Sequence, residues 1–136
     1  MICLDTGAVI VAINRRVPNV RPRLEAALVA RAAVAIPVVV LHELSYGIRR
    51  SARGQAGAQA LAASLALGIT VWSFEPEDAE EAGEIRRAHE RAGTPIGAYG
   101  ILIAAQARRR SALLVTANTG EFARLPGLKM ENWALD

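Results

Sequence analysis

Short apolar runs alternate with helical stretches along almost the whole chain, and few folds accept that alternation. Ile2–Asp5 reads as a first strand, and Thr6 is placed to cap a helix running to Asn14. A helix over Asn19 to about Ala32 follows a loop marked by Pro18, and Val34–Ile36 is a second strand ended by Pro37. Helices are expected over about Val39–Ser51 and Gln55–Leu67, then a third strand over Ile69–Trp72. Pro76 is well placed to open a long helix through Arg91. A buried helix over Tyr99–Arg109, a fourth strand over Ala112–Val115 and a fifth over Leu128–Met130 complete the pattern. Strands alternating with helices predict an α/β fold with a parallel sheet covered on both faces. In such sheets ligands collect at the carboxyl ends of the strands.

Length and composition bound the rest. The chain has 136 residues, which suits a single domain able to bury most of its apolar surface. Hydrophobic residues make up 52%, yet no apolar run approaches the roughly 20 residues that span a bilayer, so no membrane partner is expected. Asp5 lies too near the start for a signal peptide with a basic leading segment. The single Cys3 cannot form an internal disulfide, which points to a reducing cytoplasm.

Charge is unevenly spread. The net charge is +3, and residues 1–74 hold eight arginines against Asp5, Glu25 and Glu43. Of the sixteen basic residues only Lys129 is a lysine. Arginine suits bidentate pairing with phosphate and stacking on bases, so a nucleic-acid partner fits. A GC-rich genome would give the same bias.

Placed on this frame, the acids gather at one edge. Asp5 ends the first strand. Glu43 lies in the helix after the second strand, inside VVVLHELSYGI, where Val40, Leu41, Leu44 and Ile48 would face the core. A glutamate in such a setting is paired or metal-bound if it is buried. The alternative is an exposed Glu43, or one paired with Arg49 or Arg50. Asn118 in VTAN stands just past the fourth strand, where its simplest role is a loop or cap residue. A few carboxylates from different elements are what a hard Mg²⁺ or Mn²⁺ ion needs for hydrolysis of a phosphodiester.

From Gly93 to Trp133 the chain reads GTPIGAYGILIAAQARRRSALLVTANTGEFARLPGLKMENW. This run closely resembles the C-terminal third of the VapC-type PIN-domain ribonucleases, toxins of type II toxin–antitoxin systems. ICLDTGAVI looks like the opening strand of that family, in which Asp5 matches the first metal-binding aspartate. LHELSYGI looks like its E-x-x-x-G segment, with Glu43 the second acid and Gly47 its small companion. LLVTANTGEF matches the final cluster, so that Thr116 and Asn118 would line the pocket. The resemblance covers nearly the whole chain and implies a single PIN domain over 1–136. Its fold would be a three-layer α/β/α sandwich around a mostly parallel sheet of four to five strands.

The resemblance also implies what the protein does. The expected activity is a Mg²⁺- or Mn²⁺-dependent endoribonuclease, with Asp5, Glu43, Thr116 and Asn118 as catalytic-site residues and Asp5 and Glu43 holding metal. The expected partners are a VapB-type antitoxin, an RNA such as a tRNA or rRNA loop, and a second copy of the chain in a homodimer. The helices between Asn19 and Leu67 are candidate surfaces for the protein contacts. Three positions depart from the pattern: Gly7 replaces the usual Asn, Gly120 a frequent basic residue, and Gly100 the expected third metal-binding Asp. Losing that ligand predicts an attenuated enzyme, or else a degenerate module that binds antitoxin or RNA without cutting. Glu121 is the only nearby acid, and it belongs to another segment.

Other features fit less demanding roles. LDTG is also an aspartic-protease signature, but that fold is nearly all β and this chain is rich in helical segments. His42 and His89 lack Cys or His partners at zinc spacing, and no phosphate loop or dinucleotide fingerprint occurs. Cys3 reads as a small buried hydrophobe, and Trp72 and Trp133 as packing residues. Arg49, Arg50 and Arg53 are placed to flank a groove. Arg108–Arg110 fit a solvated helix end or RNA phosphates, and the acids of 75–90 fit the wet face of one helix.

Overall fold

The computed structural model describes residues 1–135. Five three- or four-residue strands form one sheet: β1 (Ile2–Leu4), β2 (Val34–Pro37), β3 (Thr70–Trp72), β4 (Leu113–Val115) and β5 (Lys129–Glu131). Their spatial order is β3-β2-β1-β4-β5, and every neighbouring pair is parallel. Parallel strands cannot be joined by tight hairpins, so each link is a helical crossover. Helices α1 (Thr6–Asn14) and α2 (Val20–Val29) join β1 to β2, and α3 (Val38–Arg50) and α4 (Gly54–Leu65) join β2 to β3. Helices α5 (Pro76–Arg91) and α6 (Ala98–Arg109) lead to β4, and the short α7 (Thr119–Phe122) leads to β5. This is the α/β sandwich with a parallel sheet that the alternation predicts.

The central strands are buried on both faces and accordingly read as unbroken apolar runs. Cys3, Leu4, Val34, Ile36, Leu114 and Val115 are all buried, as are Ala104, Ala105 and Ala107 of α6. Small residues there let α6 approach its neighbours closely. On α3, Val40 and Leu44 are buried while Leu41 and Ile48 are only partly so. Cys3 is fully buried, and desolvation pushes its thiol far above the ordinary range, which keeps it unreactive.

Several local expectations change. Asp5, not Thr6, caps α1: its Oδ1 accepts from the Ala8 N–H at 2.8 Å. Helix α2 stops at Val29, and Arg31 then adopts a left-handed φ of 58°. Pro76 does open α5, where Asp78 closes a capping box by accepting from the Glu75 N–H at 2.8 Å. Gly93, at φ 69°, ends that helix.

The acids of α5 are not all on a wet face. Asp78 is fully buried and accepts from Arg109 Nε at 2.6 Å and Arg110 Nη1 at 2.8 Å. The two guanidinium groups and the Glu75 N–H outweigh burial and hold the Asp78 carboxyl down at about 2. Arg108 pairs with Glu81, and Arg110 also lies over the Trp72 ring at 4.7 Å. The Arg108–Arg110 run is therefore a clamp between α5 and α6 rather than an RNA-facing patch.

Candidate active site

Strand order reverses beside β1. The chain first builds outward through β2 and β3, then returns to place β4 on the other side of β1. Crevices form where crossovers diverge in this way. Asp5 stands at the end of β1 and Thr116 at the end of β4, and the Asp5 N–H donates to the Val115 carbonyl at 3.2 Å.

A cavity of about 180 Å³ opens at this edge. Asp5, Thr6, Glu43 and Asn118 line it together with Tyr99, Gly100 and Glu121. Glu43 arrives from the middle of α3 and is half-buried. The Thr6 hydroxyl donates to Glu43 Oε1 at 2.6 Å, so Glu43 is tied to α1 rather than to Arg49 or Arg50. Asn118 heads α7, and its N–H donates to Thr116 Oγ1 at 3.0 Å. Thr116 is 1% exposed and hydrogen-bonds to Asp5, so it supports the acid from beneath.

The electrostatics follow from this packing. Asp5 is 7% exposed, and desolvation raises its pKa above the ordinary carboxylate value. Bonds from Thr116 and the Ala8 N–H oppose that rise, and the nearby Glu43 charge adds to it. A cation between the two carboxylates would relieve both penalties.

The fold brings Asp5, Glu43, Asn118 and Gly100 to one cavity, whereas Thr116, expected to line it, is buried and touches Asp5 without lining that cavity. Gly100 lies in the first turn of α6, and a Cβ there would stand 3.1 Å from Ile96 Cγ2 and 3.5 Å from Phe122 Cζ. Glu121, from α7, lines the same cavity and accepts from the Gly97 N–H at 3.3 Å. An acid from a different segment thus stands on the side where Gly100 offers none. Among the described residues no three His, Cys, Asp or Glu side chains form a ready metal cluster. Gly47 has open space around its Cα, so nothing packed against it demands a small residue.

Beyond Glu43 the surface continues into an apolar groove of about 480 Å³ between α1, α3 and α4. Ile10, Ile13, Leu44, Ile48 and Leu61 line it, with Arg53 at its margin.

Comparison with known proteins agrees with this geometry. The PIN domain family model matches residues 2–128. Ribonuclease VapC2 of Rickettsia felis is 35% identical, and tRNA(fMet)-specific endonuclease VapC of Salmonella typhimurium is 31% identical. Each alignment spans 96% of both chains. Among solved structures, VapBC2 from Rickettsia felis bound to a promoter DNA fragment superposes with a TM-score of 0.89 at 33% identity, covering 98% of this chain and 99% of that one. DNA-bound VapBC from Salmonella typhimurium gives 0.87 at 30% identity, with the same coverage. By sequence and fold together, the chain belongs to the PIN-domain family, alongside the VapC ribonucleases.

Proposed function

We propose that this protein is the toxin of a VapBC-type toxin–antitoxin pair, a ribonuclease that hydrolyses RNA phosphodiester bonds with Mg²⁺ or Mn²⁺. The observation that carries the reading is the meeting of Asp5 and Glu43, from different elements, in one cavity, where burial first and the Glu43 charge in addition raise the Asp5 pKa. An all-oxygen donor set suits a hard divalent ion, which commonly takes one or two carboxylates and completes its shell with water and substrate phosphate. Asp5 and Glu43 would hold such an ion, with Glu121 as the nearest further acid. When bound, it polarises the scissile phosphate and lowers the pKa of a water.

The chain's own residues do the positioning. Thr6 orients Glu43, Thr116 and the Ala8 N–H fix Asp5, and Asn118 offers an amide at the cavity mouth. Activity is attenuated because Gly100 contributes no carboxylate. A second reading, a PIN module that binds antitoxin or RNA without cleavage, is favoured by the lack of a three-acid cluster among the described residues.

The apolar groove beside Glu43 fits an antitoxin segment carrying aliphatic side chains, with a basic residue reaching the acids. Homodimerisation and a cytoplasmic setting belong to the same proposal. No helix among the described residues is long and apolar enough to cross a membrane.

The test compares cleavage of structured RNA by this protein and by Gly100→Asp in Mg²⁺ and in Mn²⁺. Cleavage by the variant, faster than by the parent, is expected. No cleavage by either overturns the nuclease reading, and equal rates overturn attenuation.

A further inference from the structure

The chain holds only six aromatic residues besides histidine, and their distribution is uneven. Phe122 and Trp133 are buried, and Trp72 and Phe74 are half-buried. Both tyrosines lie outside, Tyr46 at 60% exposure and Tyr99 at 49%. Tyr46 lies on α3, the helix that carries Glu43. Tyr99 lines the carboxylate cavity directly. His42 precedes Glu43, shares a 3.2 Å hydrogen bond with the Tyr99 hydroxyl, and meets that ring edge-on with centroids 5.4 Å apart.

On α3 the sequence continues this strip. His42, Tyr46 and Arg50 recur every four residues, so they share one helix face. Arg50 lies 5.5 Å from the Tyr46 ring centroid, which braces the ring and adds a cation. Exposed His42, Tyr46, Arg50 and Tyr99 thus form a ladder leading from the acids across α3. Nothing within the fold requires rings there, since the hydrophobic cluster closes without them.

We propose that this ladder is a stacking platform for unpaired RNA bases, which orients the strand so that its phosphates pass the Asp5–Glu43 cavity. The proposal rests on the ribonuclease reading and deepens it by naming the side chains that hold the strand's bases beside the cavity. Successive rungs on α3 lie ~6 Å apart along the axis. That exceeds the roughly 3.4 Å rise of a stacked duplex strand, so the ladder suits splayed bases rather than a continuous helix. Aromatic side chains recognise exposed bases in this way without demanding a sequence, whereas bases inside a duplex keep their faces covered. Tyr46, His42 and Tyr99 act here as positioning residues, and Arg50 contributes charge toward phosphate.

Binding to the full chain in EDTA, read by fluorescence anisotropy, tests this apart from cleavage. The probes are a short unstructured RNA, a ribose-phosphate chain of equal length lacking bases, and a blunt duplex of the same RNA. The unstructured RNA is expected to bind at least about fivefold tighter than either other probe. Tyr46→Ala and Tyr99→Ala should each lose about fivefold or more, while Tyr46→Phe and Tyr99→Phe stay within about twofold of the parent. Equal affinity of the unmodified protein for the RNA and the base-free chain overturns the platform, whatever the variants do. So do Ala variants that bind as the parent does. A Tyr46→Ala protein that loses self-association but keeps RNA affinity assigns the face to a second copy of the chain, and also overturns it. Base-dependent binding without cleavage by Gly100→Asp sinks the nuclease reading and leaves the platform standing. Cleavage with base-independent binding does the reverse.

Discussion

The Thr6 hydroxyl stands 2.6 Å from Glu43 Oε1, joining the first turn of α1 to the middle of α3 across 37 positions of sequence. A hydroxyl donating to a carboxylate restricts its rotation and leaves its other oxygen for a ligand. Thr6→Val keeps the shape and removes the donor. Its expected cost is about 1 kcal/mol in stability and roughly 10–100-fold in metal-dependent cleavage. Thr6→Ser should restore both. Thermal melts and initial rates measure this, and unchanged cleavage by Thr6→Val would show that Glu43 does not rely on the bond.

Gly100 separates packing from chemistry. A new Cβ meets Ile96 Cγ2 at 3.1 Å, so Ile96 must yield by a few tenths of an ångström. That strain opposes the roughly 0.5–1 kcal/mol gained by replacing a helical glycine. Gly100→Ala should therefore change stability by less than about 1 kcal/mol, with no gain in cleavage. Gly100→Asp should melt no higher than Gly100→Ala and yet cleave at least about tenfold faster than the parent. A Gly100→Asp gain that survives Glu121→Gln undiminished would remove Glu121 from the site.

Asp5 costs stability at neutral pH. Its folded pKa is raised, so the folded state binds a proton more tightly than the unfolded chain does. Stability is then greatest below the unfolded value near about 4, and falls as pH rises through the folded pKa. Asp5→Asn keeps a good cap for α1 and removes the charge. It should melt higher than the parent at pH 7, cleave no RNA, and gain less from added Mg²⁺. A parent protein whose melting temperature ignores millimolar Mg²⁺ would contradict a carboxylate-held ion.

Asp78 behaves in the opposite sense. Its folded pKa of about 2 lies below the unfolded value, so its contribution is complete above about pH 4 and is lost as pH falls toward 2. Asp78→Ala removes the shared partner of two arginines that both keep access to water, and should cost roughly 1–3 kcal/mol. Acid titration of the melting temperature should show a step in this window that Asp78→Asn lacks.

Where the sequence carries its own punctuation, the structure follows it closely. Pro76 opens α5 as the sequence predicts, and the Glu75–Asp78 capping box, which is seen only in the structure, secures the same turn. Apolar runs show where strands end, which places Asp5 and Asn118 at the carboxyl edge, whereas Thr116 and the gathering of these residues with Glu43 follow only from the resemblance to the VapC family. The errors lie where a side chain's partner is remote. Asp78 looked like one more acid on a charged helix, since nothing local signals that Arg109 and Arg110 fold back onto it. Thr6 looked like a cap because its true partner is 37 positions away. Glu121 is, as expected, a nearby acid on another segment, but the four-residue α7 is too short to show periodicity, so nothing local signals that it lines the cavity. It shares a cavity with Gly100 only because α6 and α7 converge at the end of β4.

The sheet order also governs when this site can exist. β1 lies in the middle, flanked by β2 and by β4, and β4 begins only at Leu113. Until the last quarter of the chain has been synthesised, β1 is an open edge, Asp5 lacks the support of Thr116, and the cavity has no wall on the Asn118 side. Pairing so distant in sequence closes late. A chain that stops before Leu113 therefore lacks both the second neighbour of β1 and the segment that carries Thr116 and Asn118.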